Sequence, residues 1–153
     1  MIYGARKFNQ DSYDKNDYFA REKFSEFIIR KGHLIIKNEE DYNHDLQTVK
    51  NNKKYLFELE VKSKYVFTDR DSFPFQTVSF LGRKKRLHDF MPFYYVIICR
   101  ETEWALVCHS ENIFIDDYVE NIEINTLHRI GNDELYRVPK NKCLFFDINE
   151  KLY

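Results

Sequence analysis

The segment over residues 54–64 constrains the fold of this chain most, because apolar and polar side chains alternate along it. A β-strand turns successive side chains to opposite faces of its sheet, so residues two apart share a face. One face of this strand is apolar and consists of Tyr55, Phe57, Leu59 and Val61. The opposite face carries a row of charges, Glu58, Glu60 and Lys62. We expect the apolar face to lie in the core and the charged face to line a cleft.

A helix is predicted over residues 17–31, ahead of this strand. Asn16 can cap its first turn, and Gly32 can take the left-handed conformation that ends it. The stripe expected to pack inward follows helical spacing and consists of Ala20, Phe24, Phe27, Ile28 and Lys31. An adjoining face carries Glu22, Glu26 and Ile29.

Further strands are predicted on both sides of the alternating segment. Short strands are expected at 33–37 and 44–49, and the polar turn at 50–53 makes the second and third strands an antiparallel hairpin. Later segments predict a strand at 77–81, a short basic turn or helix at 82–90, a hairpin of strands at 93–99 and 104–109, and further strands and loops from Glu111. The chain is therefore expected to be mixed α/β, with helices packed against a central sheet.

Length and composition limit the class of protein. The 153 residues suffice for one domain, 1–153, with a single core. Cys99, Cys108 and Cys143 lie far apart and form no CxxC pair, which favours buried free thiols over a zinc site. No apolar run approaches the roughly 20 residues of a membrane span, and residues 1–7 lack the apolar stretch of a signal peptide. We expect a cytoplasmic protein without a membrane partner.

Three side chains near the predicted hairpin have the chemistry of a metal-dependent hydrolase. Mg²⁺ prefers oxygen ligands and keeps several waters, so two or three carboxylates suffice to hold it. Glu60 and Lys62 share a strand face, and Asp45 lies on the neighbouring strand across a tight turn, which can bring it beside Glu60. A lysine at such a site can orient the attacking water and stabilise developing charge. Glu22 on the preceding helix could add a fourth functional group. The alternative is a solvated strand face that carries a surface ion ladder.

The run from Asp45 to Glu60-Val61-Lys62 resembles the signature of the PD-(D/E)XK nucleases, an acidic residue followed by (D/E)xK. The helical Glu22 and Gly32 before the first strand are similar to the archaeal Holliday junction resolvase branch of that superfamily. The resemblance covers about residues 19–64. No proline precedes Asp45, a departure from the name of the signature.

The resemblance implies a restriction-endonuclease-like core, a central mixed β-sheet flanked by helices. It also implies Mg²⁺, or Mn²⁺ in its place, held by Asp45, Glu60 and the carbonyl of Val61. Lys62 would act near the attacking water, and Glu22 would be the acid from the helix, a role that Glu26 or Asp17 could fill instead. DNA is the implied partner, and a symmetric homodimer is the implied assembly.

A second signal is the basic run Arg83-Lys84-Lys85-Arg86. The formal net charge of the chain is −1, which argues against non-specific coating of nucleic acid but permits a local basic surface. Clustered cations neutralise phosphates, so this run is a candidate DNA contact, helped by the small polar side chains of Gln76, Thr77 and Ser79. The alternative is an ordinary solvated turn.

These observations lead to the hypothesis of a metal-dependent endonuclease that hydrolyses DNA phosphodiester bonds, with branched DNA such as a Holliday junction as the favoured substrate. A small restriction or repair endonuclease is the alternative within the enzyme class. Outside that class, the alternative is a non-catalytic module that keeps the nuclease fold for binding nucleic acid or protein.

Overall fold

The computed structural model describes residues 10–37, 44–125 and 130–150. It contains two α-helices in that part of the chain, α1 (Gln10–Arg30) and α2 (Lys85–Phe90). Its strands are β1 (Leu34–Lys37), β2 (Leu46–Lys50), β3 (Lys53–Lys62), β4 (Thr77–Leu81), β5 (Tyr94–Cys99), β6 (Trp104–His109), β7 (Val119–Asn125), β8 (Ile130–Pro139) and β9 (Leu144–Asp147). A single 3₁₀ turn, Gly82–Lys84, joins β4 to α2.

The strands form two sheets. The larger has six strands in the order β1-β2-β3-β5-β6-β9, and the smaller has three in the order β4-β8-β7. In the larger sheet β3 and β5 pair in parallel and all other neighbours are antiparallel. The predicted mixed α/β class with a central mixed sheet is therefore confirmed.

Different elements cover the two faces of the six-stranded sheet. On one face, α1 packs through Phe24 against a cluster that includes Phe57 of β3 and Val96 of β5. On the other face, the three-stranded sheet and α2 contribute Phe80 and Leu87 to a second cluster. The expectation that helices flank the sheet is thus met by α1 on one face, whereas the opposite face is covered mainly by strands. The long-range pairing of β4 with β8 creates this third layer.

The helix begins earlier than predicted. α1 starts at Gln10, so Asn16 lies inside it and is not its cap. Asn16 instead accepts a hydrogen bond from the guanidinium of Arg100 at 3.0 Å. No proline or glycine stands between Gln10 and Asn16 to stop the helix, which explains the earlier start. The predicted end is confirmed, with Gly32 at φ +95° immediately beyond the last turn.

The strand β3 is covered on both faces. Phe57 is buried, and Tyr55 packs, partly buried, against the same cluster beneath α1, as do Leu59 and Val61. On the charged face, Glu58 is only 2% exposed. The prediction that the apolar face lies in the core holds for Phe57 and in part for its neighbours. On the charged face, which was expected to line a cleft, Glu58 is buried because the three-stranded sheet packs over that side as well.

Two further expectations concern the cysteines and the membrane. The thiols of Cys99, Cys108 and Cys143 are free and buried, as predicted. Among the helices that the structure describes, none has the length and apolar character needed to cross a membrane.

Candidate active site

The site begins at an edge of β3 that its hairpin partner does not cover. β2 pairs with β3 only as far as Phe57, whereas β5 pairs with β3 to its last residue. Beyond Phe57, the Asp45 side chain takes the place of β2, because its Oδ2 accepts the N–H of Leu59 at 2.9 Å. In a strand the N–H and C=O of one residue point to the same edge, and every second residue repeats that direction. The carbonyl of Val61 therefore points to the edge at which Asp45 lies.

A cavity of about 280 Å³ opens at this edge, between α1, β3 and the turn after β4. Its lining includes residues that the sequence predicted in two separate groups, namely Asp45, Glu60 and Val61 from the metal site and Arg83 and Lys84 from the basic run. The tertiary fold thus brings both predicted groups to one cavity.

Glu60 is held by two neighbours at the cavity wall. Its Oε1 accepts the phenolic O–H of Tyr95 at 2.7 Å, and its Oε2 lies 2.6 Å from the ammonium of Lys62. Burial first, and then the charge of Glu60, raise the pKa of Tyr95 well above its ordinary value. The phenol therefore stays protonated and keeps donating to Glu60. Lys62, predicted beside Glu60, is in direct contact with it.

Glu58 is a site residue that the sequence analysis placed on the charged face but did not assign to the site. One of its oxygens accepts the backbone N–H of Asp45 at 2.8 Å, and the other pairs with the Lys84 ammonium at 2.6 Å. Burial first, and then the charge of Asp45, raise the pKa of Glu58 to about 7, against the opposing effect of Lys84. Burial also raises the pKa of Asp45. The signal in the sequence was the position of Glu58, two residues before Glu60 on the same face.

The helix presents Asp17 to the cavity, and not Glu22. Asp17 is part of the cavity lining, whereas Glu22 and Glu26 are exposed elsewhere on α1 and do not line it. Asp17 also pairs with the guanidinium of Arg21 at 3.1 Å, and Arg21 donates to the carbonyl oxygen of Asp45 at 2.9 Å. The helix acid and the metal-site aspartate are therefore connected through one arginine.

The four residues of the basic run have different surroundings. Arg83 is exposed and lines the cavity, and Lys84 points into it to pair with Glu58. Lys85 pairs with Asp89 of α2 at 3.1 Å, and Arg86 is exposed. The run is therefore not a uniform cationic surface, since two of its four charges have carboxylate partners.

The candidate metal ligands at this cavity are carboxylates. Within residues 10–37, 44–125 and 130–150, no group of three or more histidine, cysteine, aspartate or glutamate side chains is arranged to hold a metal ion. Asp45 and Glu60 line the cavity as a pair of carboxylates, and each already accepts a hydrogen bond from the protein.

The chain was compared with protein-family models, with curated proteins and with solved structures, and none of them matches it. Its function must therefore be argued from the geometry of this cavity.

Proposed function

We propose that this protein is a Mg²⁺-dependent nuclease with a restriction-endonuclease-like core, which hydrolyses DNA phosphodiester bonds in the cavity beside β3. The observation that carries the proposal is the convergence of Asp45, Glu60 and the Val61 carbonyl edge on one cavity. Lys62 contacts Glu60 beside this cavity, and Arg83 supplies a cation to its lining. Acid, lysine and cation are the parts that phosphodiester hydrolysis requires.

The donors fit a hard divalent cation. Asp45 and Glu60, with the carbonyl of Val61, would provide oxygen ligands, and Mg²⁺ completes its shell with waters. Mn²⁺ would bind the same donors. The raised pKa values of Asp45 and Glu58 supply support, because burial disfavours the charge of both carboxylates even beside Arg21 and Lys84, and a further cation would stabilise that charge. When bound, the metal would neutralise phosphate oxygens and lower the pKa of a water.

The protein groups around this position have distinct roles in the proposal. Tyr95 holds one oxygen of Glu60 and so orients the carboxylate. Lys62 would share or leave its contact with Glu60. It would then stabilise the negative charge that develops on the phosphate. Asp17 takes the part of the helix acid in place of Glu22, and it holds Arg21 against the backbone of Asp45. Lys84 compensates the buried charge of Glu58.

The preferred DNA, the assembly and the location in the cell are part of the same proposal. We infer a preference for branched DNA such as a four-way junction and a symmetric homodimer, as the resemblance to the Holliday junction resolvases implies. The location that we propose is the cytoplasm. A small restriction or repair endonuclease would use the same cavity and differ in the DNA that it accepts.

The second candidate is a binding module without catalysis. Two observations favour it: both oxygens of Glu60 already have protein partners, and the described residues contain no group of three metal-binding side chains. A module of this kind would bind nucleic acid or protein at the cavity without needing Mg²⁺. Metal dependence therefore separates the two candidates.

The decisive experiment incubates the protein with supercoiled plasmid, single-stranded DNA and a four-way junction, each with Mg²⁺ and with a chelator. We expect cleavage only with Mg²⁺, and loss of cleavage in Glu60→Gln. Glu101→Gln is the matched control, because Glu101 is an exposed glutamate in the turn between β5 and β6. DNA binding that is unaffected by Mg²⁺, without cleavage of any substrate, would overturn the nuclease and support the binding module.

A further inference from the structure

A second cavity, of about 500 Å³, lies beside the active-site cavity. Glu60 lines the first cavity and Lys62 the second, and these two residues share a face of β3 and touch at 2.6 Å. On β4, Leu81 lines the first cavity, whereas Ser79 and Thr77 line the second. The two cavities are therefore adjacent, with the contact between Glu60 and Lys62 at their boundary and alternate residues of β4 lining both.

A cationic side chain, that of Arg137, also lines the second cavity. Arg137 of β8 lies directly opposite Ser79 of β4 in the sheet register, so both side chains project from the same face. The guanidinium of Arg137 also pairs with Glu120 and remains partly exposed. Lys62, Ser79 and Arg137 therefore offer two positive charges and a hydroxyl along the cavity, which is a suitable set of donors for phosphate oxygens.

The second cavity also contains an exposed aromatic ring. Phe75 is 52% exposed although it is a large apolar side chain. Its ring makes T-shaped contacts with Tyr65 and Phe73, with centroids 5.3 and 5.9 Å away. An exposed ring that its neighbours hold in place can stack on a base at little cost in conformational entropy, as in single-strand-binding proteins.

We propose that the second cavity binds an unpaired nucleotide of the DNA substrate, with the base stacked on Phe75 and the backbone phosphate beside Arg137 and Ser79. A duplex buries its bases in the stack, so this site selects DNA with a single-stranded or unstacked nucleotide next to the cleaved bond. This inference rests on the proposed nuclease function, because that function makes the first cavity the place where the DNA is cleaved. The volume of the second cavity lies in the range of ligand-binding pockets.

The test measures binding of two single strands by fluorescence anisotropy in Ca²⁺, so that binding is observed without cleavage. One strand is an oligothymidylate of about ten nucleotides, within the usual site size, and the other is an abasic deoxyribose-phosphate strand of equal length. Phe75→Leu keeps the apolar bulk and removes the ring, and Phe75→Tyr keeps the ring. Phe90→Leu is the matched control, because Phe90 is an exposed phenylalanine at the end of α2 that does not line the second cavity.

We expect Phe75→Leu to weaken oligothymidylate binding at least about fivefold, in line with the loss of one base–aromatic stack, and to leave abasic binding unchanged. Phe75→Tyr and Phe90→Leu should bind both strands like the unmodified protein. Arg137→Gln should weaken both strands equally, because it removes a phosphate contact. Thermal unfolding of each variant checks that the fold is retained.

Three results would overturn the inference: no binding of either strand, an unchanged affinity in Phe75→Leu, or an equal loss on both strands. The nuclease proposal is tested separately, by the cleavage assay. Mg²⁺-dependent cleavage with no effect of Phe75 would reject this site and keep the nuclease. Base-dependent binding through Phe75 without any cleavage would reject the nuclease and keep the site.

Discussion

The two halves of β3 pair with different partners. The first half, residues 53–57, pairs with β2 across a turn in which Asn51 and Asn52 have φ of +52° and +63°. The second half pairs in parallel with β5, which follows β4 and α2 along the chain. Its other edge is occupied by the Asp45 side chain. The candidate site lies where the pairing of β2 with β3 ends. Because β3 continues beyond that point, its edge, free of β2, leaves room for the cavity.

The same face of β3 also has different surroundings in the two halves. Lys54 is exposed at the start of the strand, whereas Glu58 on that face is buried against Asp45 and Lys84. Lys62, at the end, lies beside Glu60 between the two cavities. This face of β3 is therefore solvated at Lys54, whereas in the second half it is the wall of a site, although the alternation is the same.

The largest expected effect compares two lysines on that face. Lys62→Ala should reduce the rate of Mg²⁺-dependent cleavage at saturating DNA by about a hundredfold or more, because it removes a group that stabilises developing charge. Lys54→Ala should leave the rate unchanged. Initial rates on the preferred DNA substrate measure both. Equal rates in the two variants would remove Lys62 from the active site.

A smaller effect concerns the helix that faces the second half. Asp17→Asn should slow cleavage about tenfold, because Asp17 holds Arg21 against the Asp45 backbone, and partners of ligands typically contribute on this scale. Glu22→Gln is the control and should cleave normally, since Glu22 is exposed away from the cavity. The reverse result would return the helix acid to Glu22.

Glu58 makes stability depend on pH. Its pKa is raised from 4.5 to about 7 in the folded protein, so the folded state binds more protons than the unfolded state in that window. The contribution is fully present below pH 4.5 and is lost as the pH rises through about 7. The free energy of unfolding should fall across this window with a slope approaching about 1 kcal/mol per pH unit for one proton.

Urea denaturation in a chelator at several pH values measures this slope. Glu58→Gln should flatten it, and Glu101→Gln should leave it as it is, because Glu101 is exposed. An unchanged slope in Glu58→Gln would assign the pH dependence to another group.

The smallest effect belongs to the hairpin turn of the first half. Asn52→Ala should lower the free energy of unfolding by up to about 1 kcal/mol, because alanine adopts a positive φ less readily than asparagine. Cleavage at saturating DNA should be unchanged, since the turn lies at the opposite end of β3 from the site. Chemical denaturation and the rate assay together check this. A loss of activity without a loss of stability would show that the two halves are coupled.

Local patterns were sufficient to predict several elements. The predicted strand at 77–81 coincides with β4 (Thr77–Leu81), and the predicted hairpin at 93–99 and 104–109 forms as β5 and β6. The inward stripe of α1 is buried at Ala20, Phe24, Phe27 and Ile28, as its spacing predicted. These features depend on residues that are close in sequence, where turn preference and hydrophobic period act directly.

The site itself was predicted in part. Asp45 and Glu60 could be singled out because charge and alternation are visible in the chain, whereas Val61 was implied only by the resemblance to the PD-(D/E)XK nucleases. The structure places all three at one cavity. Glu58 could not be separated from a solvated residue by alternation alone. Its burial depends on Lys84, which arrives from the turn after β4.

The sequence by itself therefore determined the period of β3, its hairpin with β2 and the phase of the buried stripe on α1. Only the tertiary structure decided which polar residues face one another, since that depends on how α1 and β4 are placed around the open edge of β3. Asp17 rather than Glu22 lines the cavity for this reason, because the packing of α1 decides which of its acidic side chains faces β3. Side-chain period is a local property of the backbone, whereas burial and charge pairing arise from contacts between distant segments.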